Sequence, residues 1–156
     1  MAKPQIPVRQ AGVEDAAAIA RLLHDFNTEF EAETPGVEEL TRHATRMLRE
    51  GEMTVLLGGG GPDGLALLRF RPSVWTEKSE AYLQELYVAP ALRGRGIGQV
   101  LLEAAIEFSR DEAGAAWIEL NTAETDRPAR ALYSKLGFTN EEGPDGATML
   151  YYELEL

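Results

Sequence analysis

The sequence contains no cysteine. Disulfides, thiolate nucleophiles and Cys-ligated metals are therefore excluded. Histidine is nearly absent. His24 and His43 are the two copies, they fall in different helical patterns, and neither has a third ligand nearby, so both read as surface or boundary residues and no metal site is expected. Positive charge is scarce, with 15 Lys and Arg against 26 Asp and Glu and a net charge of −11. That balance argues against nucleic acid and against an anionic membrane surface as partners. It suits a cationic substrate, although an acidic surface also serves solubility. No apolar run approaches the roughly 18 residues that would span a bilayer. The start, Met1-Ala2-Lys3-Pro4-Gln5-Ile6-Pro7, has no apolar signal core, and the expectation is a cytoplasmic protein. With 156 residues, 44% of them hydrophobic, the chain reads as a single domain over 1–156 with its own core.

What is present centres on Leu86-Tyr87-Val88-Ala89-Pro90-Ala91-Leu92-Arg93-Gly94-Arg95-Gly96-Ile97-Gly98-Gln99. An apolar strand pattern ends at Pro90, a glycine-rich loop follows, and a helical pattern begins. Three glycines at alternate positions leave the main-chain N–H groups uncovered. The first turn of a helix carries unpaired N–H groups and roughly +0.5 charge. Together these suit a phosphate or pyrophosphate, and Arg93 and Arg95 are expected to add mobile positive charge. No Lys-Ser or Lys-Thr follows, so a P-loop is excluded. The glycine spacing also fails Gly-x-Gly-x-x-Gly, because the third position falls on Gln99 or Leu101.

Around this centre the patterns predict a short edge strand at Ile6–Arg9, limited by Pro4 and Pro7. They predict a helix over Glu14–Phe30 with Ala17, Ala18, Leu22, Leu23 and Phe26 as its apolar stripe, and a second over Val37–Arg49. Strands follow at Met53–Leu57 and Leu65–Phe70, joined by Gly58-Gly59-Gly60-Gly61-Pro62-Asp63-Gly64, which reads as a hairpin loop because no helix follows it. Arg71–Lys78 is a loop and Glu80–Val88 a strand. Gly96–Arg110 is a helix, Trp117–Leu120 a strand, and Asp126 caps a helix that stops at Gly137. Thr148–Leu154 is a last strand.

Arg93-Gly94-Arg95-Gly96-Ile97-Gly98 resembles motif A of the GCN5-related N-acetyltransferases (GNAT), Gln/Arg-x-x-Gly-x-Gly/Ala, with the family's Leu-Tyr-Val-x-Pro strand end before it. Asp126-Arg127-Pro128-Ala129-Arg130-Ala131-Leu132-Tyr133-Ser134-Lys135-Leu136-Gly137-Phe138 resembles the family's second signature, Asn-x-x-Ala-x-x-Leu-Tyr-x-x-x-Gly-Phe. The order of elements is also similar over nearly the whole chain. The resemblance implies a mixed α/β fold, with a central, mostly antiparallel six- to seven-stranded sheet flanked by four helices. It implies acetyl-CoA (coenzyme A) as cofactor, held by Leu86, Tyr87, Val88, Arg93, Gly94, Arg95, Gly96, Ile97, Gly98 and Gln99, with Asn121, Asp126 and Tyr133 along its arm. The usual Asn is Asp126 here, which keeps the cap but loses an amide donor that Asn121 could supply.

The implied reaction is attack of a primary amine on a thioester, which needs a base, donors for an oxyanion and an acid for the sulfur. The resemblance assigns the oxyanion donor to a backbone N–H near Val88 and the acid to Tyr133. For the base the sequence leaves open Glu85, Glu119 or no single side chain. Glu85 resembles the acidic residue of the spermidine/spermine branch, with Gln84 where that branch has its first carboxylate. Period two places Glu85 with Leu83 and Tyr87. The acceptor wall is expected from Phe26, Glu29, Phe30, Glu31, Glu33, Trp75 and Tyr82, where carboxylates and aromatics suit an ammonium. The expected acceptor is the amine of a small molecule or basic peptide, of the polyamine or histone-tail type, with an aminoglycoside or amino acid as the second choice. The alternative is a non-catalytic acyl-CoA-binding or regulatory module. Homodimers are common in this family, and no residue dictates one here.

Overall fold

A computed structural model describes residues 5–156; Met1–Pro4, and with them the part assigned to Pro4 in the first strand, lie outside the described residues. The chain packs as two units, one ending at Leu120 and one running from Asn121.

The first unit is a five-stranded sheet in the order β1-β2-β3-β4-β5. β1 (Val8–Gln10), β2 (Thr54–Gly58), β3 (Gly64–Pro72) and β4 (Ser79–Val88) are antiparallel neighbours, and β5 (Ala115–Glu119) joins β4 in parallel. The expected six- to seven-stranded sheet is thus corrected to five strands, and the other two form a separate short hairpin in the second unit.

Alternation along the strands sends side chains to two apolar layers. Val55, Leu57, Leu65, Leu67 and Tyr87 face α1 (Ala16–Glu29) and α2 (Val37–Arg49), whose Ile19, Leu22 and Ala44 close that core. The buried stripe of α1 is Ala16, Ile19, Ala20 and Leu22, whereas Ala17, expected in the stripe, is exposed. A turn of 3-10 helix at Val13–Asp15 precedes α1 and sets this phase.

The other face of the sheet takes α3 (Ile97–Glu107), with Leu101 and Leu102 fully buried. Leu101 lies over Gly58 and Gly64, which pair with each other across the hairpin. The glycine run between them folds on itself: Asp63 accepts from the Gly60 amide at 3.1 Å and donates its own amide to the Gly58 carbonyl at 2.8 Å. It is a hairpin loop, as its composition predicts.

The second unit contains α4 (Arg127–Lys135), the hairpin β6 (Glu141–Glu142) and β7 (Ala147–Thr148). Asp126 Oδ1 accepts the Ala129 amide at 3.2 Å, so the predicted cap is present. Gly137 ends the helix at φ 93°. The strand predicted over Thr148–Leu154 is not formed. Among the described residues only Ala147 and Thr148 of this segment have ladder partners; the Met149 amide makes one further bond, to the Asn140 carbonyl at 2.7 Å, and no strand lies beside the residues after it to continue the ladder.

Two outcomes follow. Gly64→Ala places a Cβ 2.6 Å from the Tyr87 carbonyl oxygen, so urea denaturation should show a loss of about 1–3 kcal/mol. Asp15 accepts both guanidinium nitrogens of Arg9 and the Gly12 amide, and this pulls its carboxyl from 3.8 to about 2. A depressed acid stabilises the fold above its unfolded value and loses that contribution as pH falls through the folded one. Denaturation of wild type and Asp15→Asn across that acid range should therefore converge as the pH approaches about 2.

Candidate active site

β4 and β5 run together only to Tyr82 and Glu119. From Leu83 to Val88 the β5 side of β4 has no ladder among the described residues. Alternate amides along this length therefore point toward an opening rather than to another strand. At the end of β4 a short turn, Pro90–Leu92, leads into the glycine loop. Gly94 and Gly96 have φ of 76° and 88°, a left-handed conformation that glycine enters without strain. A Cβ at Gly94 would meet nothing within 4 Å, so its glycine answers to backbone shape, not to crowding. Helix α3 starts with the Val100 amide on the Gly96 carbonyl at 3.1 Å, and the amides ahead of it lie outside the helical ladder.

Arg93, expected to be mobile, is instead clamped. Its Nη1 and Nη2 donate to Glu29 Oε1 and Oε2 at 2.6 and 2.7 Å. Its Nε donates to the Val88 carbonyl at 2.9 Å, and the guanidinium lies 5.6 Å over the ring of Tyr87. The bidentate pair holds the Glu29 carboxyl below its usual range. Glu29 is thus corrected from an acceptor carboxylate to the anchor of the loop. Phe26 stacks edge-on against Tyr87 at 5.0 Å and tilts on Phe30 at 5.3 Å. These contacts join the end of α1 to the strand before the loop. Arg95 remains exposed.

Glu85 shares its face with Tyr87, but not with Leu83. Consecutive residues of β3, Leu67 and Leu68, oppose Glu85 and Leu83, which leaves Gln84 as a bulge. The bulge turns Glu85 toward the α1–α2 layer, beside buried Leu67. Burial pushes the Glu85 carboxyl up, because desolvation disfavours the anion.

Farther along the same face the helices no longer cover the sheet, and a cavity of about 350 Å³ opens, lined by Arg69, Arg71, Glu80, Tyr82, Gln84 and Glu119 among others. Arg71 donates to Glu80 at 2.6 Å and to Glu119 at 3.0 Å. Glu119 is therefore occupied by a guanidinium, which places a cation where an incoming ammonium would have to sit. Glu80 is buried, and Arg71 holds its carboxyl below the usual range. The sequence reading passed over Arg71 and Glu80. Their signal was period two across one hairpin, legible only once the register is known.

Trp75 lies in the 73–78 loop, 80% exposed, and Glu33 is also exposed. Tyr82, the predicted acceptor residue, lines the cavity. His24 faces the Thr34 hydroxyl at 3.2 Å and His43 lies 3.6 Å from Glu39. In the second unit, Tyr133 is half-buried on α4 with its ring edge-on to Phe138 at 5.8 Å. Asn121 is exposed and Asp126 spends one carboxylate oxygen on its cap. No helix of the described residues is long and apolar enough to cross a membrane.

Residues 18–138 match the family model of the Acetyltransferase (GNAT) family, and the chain belongs to that family. It is 31% identical over 161 residues to the uncharacterised N-acetyltransferase YjgM of Escherichia coli, covering 93% of this chain and 89% of YjgM. It is 28% identical to the thialysine N-epsilon-acetyltransferase of Bos taurus, covering 88% of each. A crystal structure of an acetyltransferase homologue from Arthrobacter sp. FB24 superposes with a TM-score of 0.89 at 45% identity, covering 100% of this chain and 99% of that one. The chain is an N-acetyltransferase, and acetyl-CoA is the donor its family generally uses.

Arg93→Gln removes the bidentate pair and the Val88 carbonyl bond together. Calorimetric titration should then give coenzyme A affinity weakened by about tenfold, a loss of about 1.4 kcal/mol.

Proposed function

We propose that this protein transfers the acetyl group of acetyl-CoA to the primary amine of a small molecule, by direct attack within a ternary complex. The observation that carries this reading is Glu85. Its carboxyl is raised by burial, it follows the bulge at Gln84, and it stands one alternate position from Tyr87, the residue on which the Arg93 clamp rests.

Acetyl-CoA would supply an activated thioester. The glycine loop fits its diphosphate because Gly94 and Gly96 adopt φ that bares their amides. The unpaired edge of β4 fits its amide-bearing arm and presents N–H groups for a developing oxyanion, near Val88. Glu85 accepts the proton of the acceptor ammonium. A raised carboxyl is the better matched base, since its conjugate acid lies nearer working pH. Tyr133 holds a phenolic proton suited to a departing thiolate, as its family position implies. Glu119 is the weaker candidate for the base because Arg71 already holds it.

A small acceptor, rather than a histone-type tail, is in keeping with a bounded cavity beside the base. The bovine relative's name, a thialysine N-epsilon-acetyltransferase, also points to an amine of a small molecule. The acidic surface, −11 overall, is consistent with no role for nucleic acid or anionic membrane, and a homodimer fits the habits of the family.

The test is thiol release from acetyl-CoA across a panel of amines. Wild type should turn over at least one. Tyr133→Phe should reduce kcat by about an order of magnitude or more with coenzyme A binding retained, and Glu85→Gln by about 10²-fold. The acid limb of the wild-type pH–rate profile should lie above the ordinary carboxylate range, since the base must be ionised and its burial raises the pH at which that occurs. Glu85→Gln should abolish that limb. A protein that binds coenzyme A and acetylates no amine would overturn the reading.

A further inference from the structure

Every charge lining the cavity has a partner except one. Glu80 and Glu119 both accept from Arg71, at 2.6 and 3.0 Å. Arg69 also lines the cavity, and among the described residues no carboxylate is found within 4 Å of its guanidinium. Its position relative to the base is set by register. Arg69 opposes Tyr82 on β4, and Leu67, two residues before it, opposes Glu85. Arg69 is therefore diagonal to Glu85 on one face, a relation that places the two residues about 7–8 Å apart with their Cβ atoms somewhat closer. Long side chains bridge such a gap, so one small molecule can touch both groups.

This distribution of charge is wrong for a polycation. A second ammonium entering the cavity would meet Arg69 and Arg71, and the two carboxylates there are already engaged. It is right for a molecule carrying both signs. We infer that the acceptor carries a carboxylate beside its amine, an amino acid or a compound like one, with Arg69 receiving the carboxylate while Glu85 faces the amine. Guanidinium suits this role because its planar fork meets a carboxylate with two parallel hydrogen bonds. The half-buried setting of Arg69 strengthens such a pair over one in open water. Tyr82, across the hairpin from Arg69, forms the wall between the two subsites.

The inference rests on the acetyltransferase reading above, and matched substrate pairs separate the two. L-Lysine is compared with cadaverine, and L-phenylalanine with phenethylamine; each pair differs by one carboxylate. At least one amino acid should exceed its decarboxylated partner in kcat/KM by tenfold or more, mainly through KM. Arg69→Gln should collapse that ratio at least tenfold, and Arg69→Lys should retain part of it, as a structural role for the side chain would not require. Calorimetric titration of the same four compounds into the protein saturated with coenzyme A reads the carboxylate seat without turnover. Acetylation of amines with no preference for the carboxylate, or a ratio untouched in Arg69→Gln, overturns the inference and leaves the acetyltransferase intact. Binding of the amino acids without turnover of any amine keeps the seat and overturns the acetyltransferase.

Discussion

The structure depends on the point at which β4 loses β5. The two strands pair as far as Tyr82 and Glu119, and beyond it β4 runs on with one side open. A strand edge is normally covered, because unpaired N–H and C=O groups invite another chain. Here the stretch stays open among the described residues, and the glycine loop follows directly after it. The bulge at Gln84 falls within the same stretch. It turns one carboxylate, Glu85, toward the core that raises its affinity for a proton.

The loop that follows is held at its shoulder. Glu29 at the end of α1 and the Val88 carbonyl together fix Arg93, and Phe26 and Tyr87 pack beneath. The acceptor-side helix and the cofactor loop are therefore one mechanical piece. A side chain that looks like a free phosphate ligand in the sequence is part of the frame. A bidentate charge-assisted pair with a third bond to a carbonyl holds geometry better than a single exposed contact would.

The same face of the sheet is divided by where the helices end. Leu65, Leu67 and Tyr87 lie under α1 and α2 and are dry. Arg69, Arg71 and Tyr82, one or two alternate positions along, line the cavity. Glu85 stands at the boundary between these zones, with a core on one side to desolvate it and a cavity on the other from which a proton could arrive.

Much of this was written in the chain. Helix limits were legible where a cap or a glycine is local, as at Asp126 and Gly137, and so was the hairpin at Gly58–Gly64. The glycine loop was legible because its spacing serves backbone conformation, which is a local property. The phase of α1, the bulge at Gln84, the clamp on Arg93 and the pairing of Arg71 with Glu80 and Glu119 were not. Each depends on partners 5 to 64 residues distant, or on a register that slips by one residue and changes which face a side chain occupies. The sequence by itself determined most of the helix and strand segments of the first unit and the glycine loop between β4 and α3, since those follow from short-range periodicity and glycine. Only the tertiary structure decided which carboxylate is dry and which is paired, because burial and ion pairing are made between strands that the chain brings together from far apart.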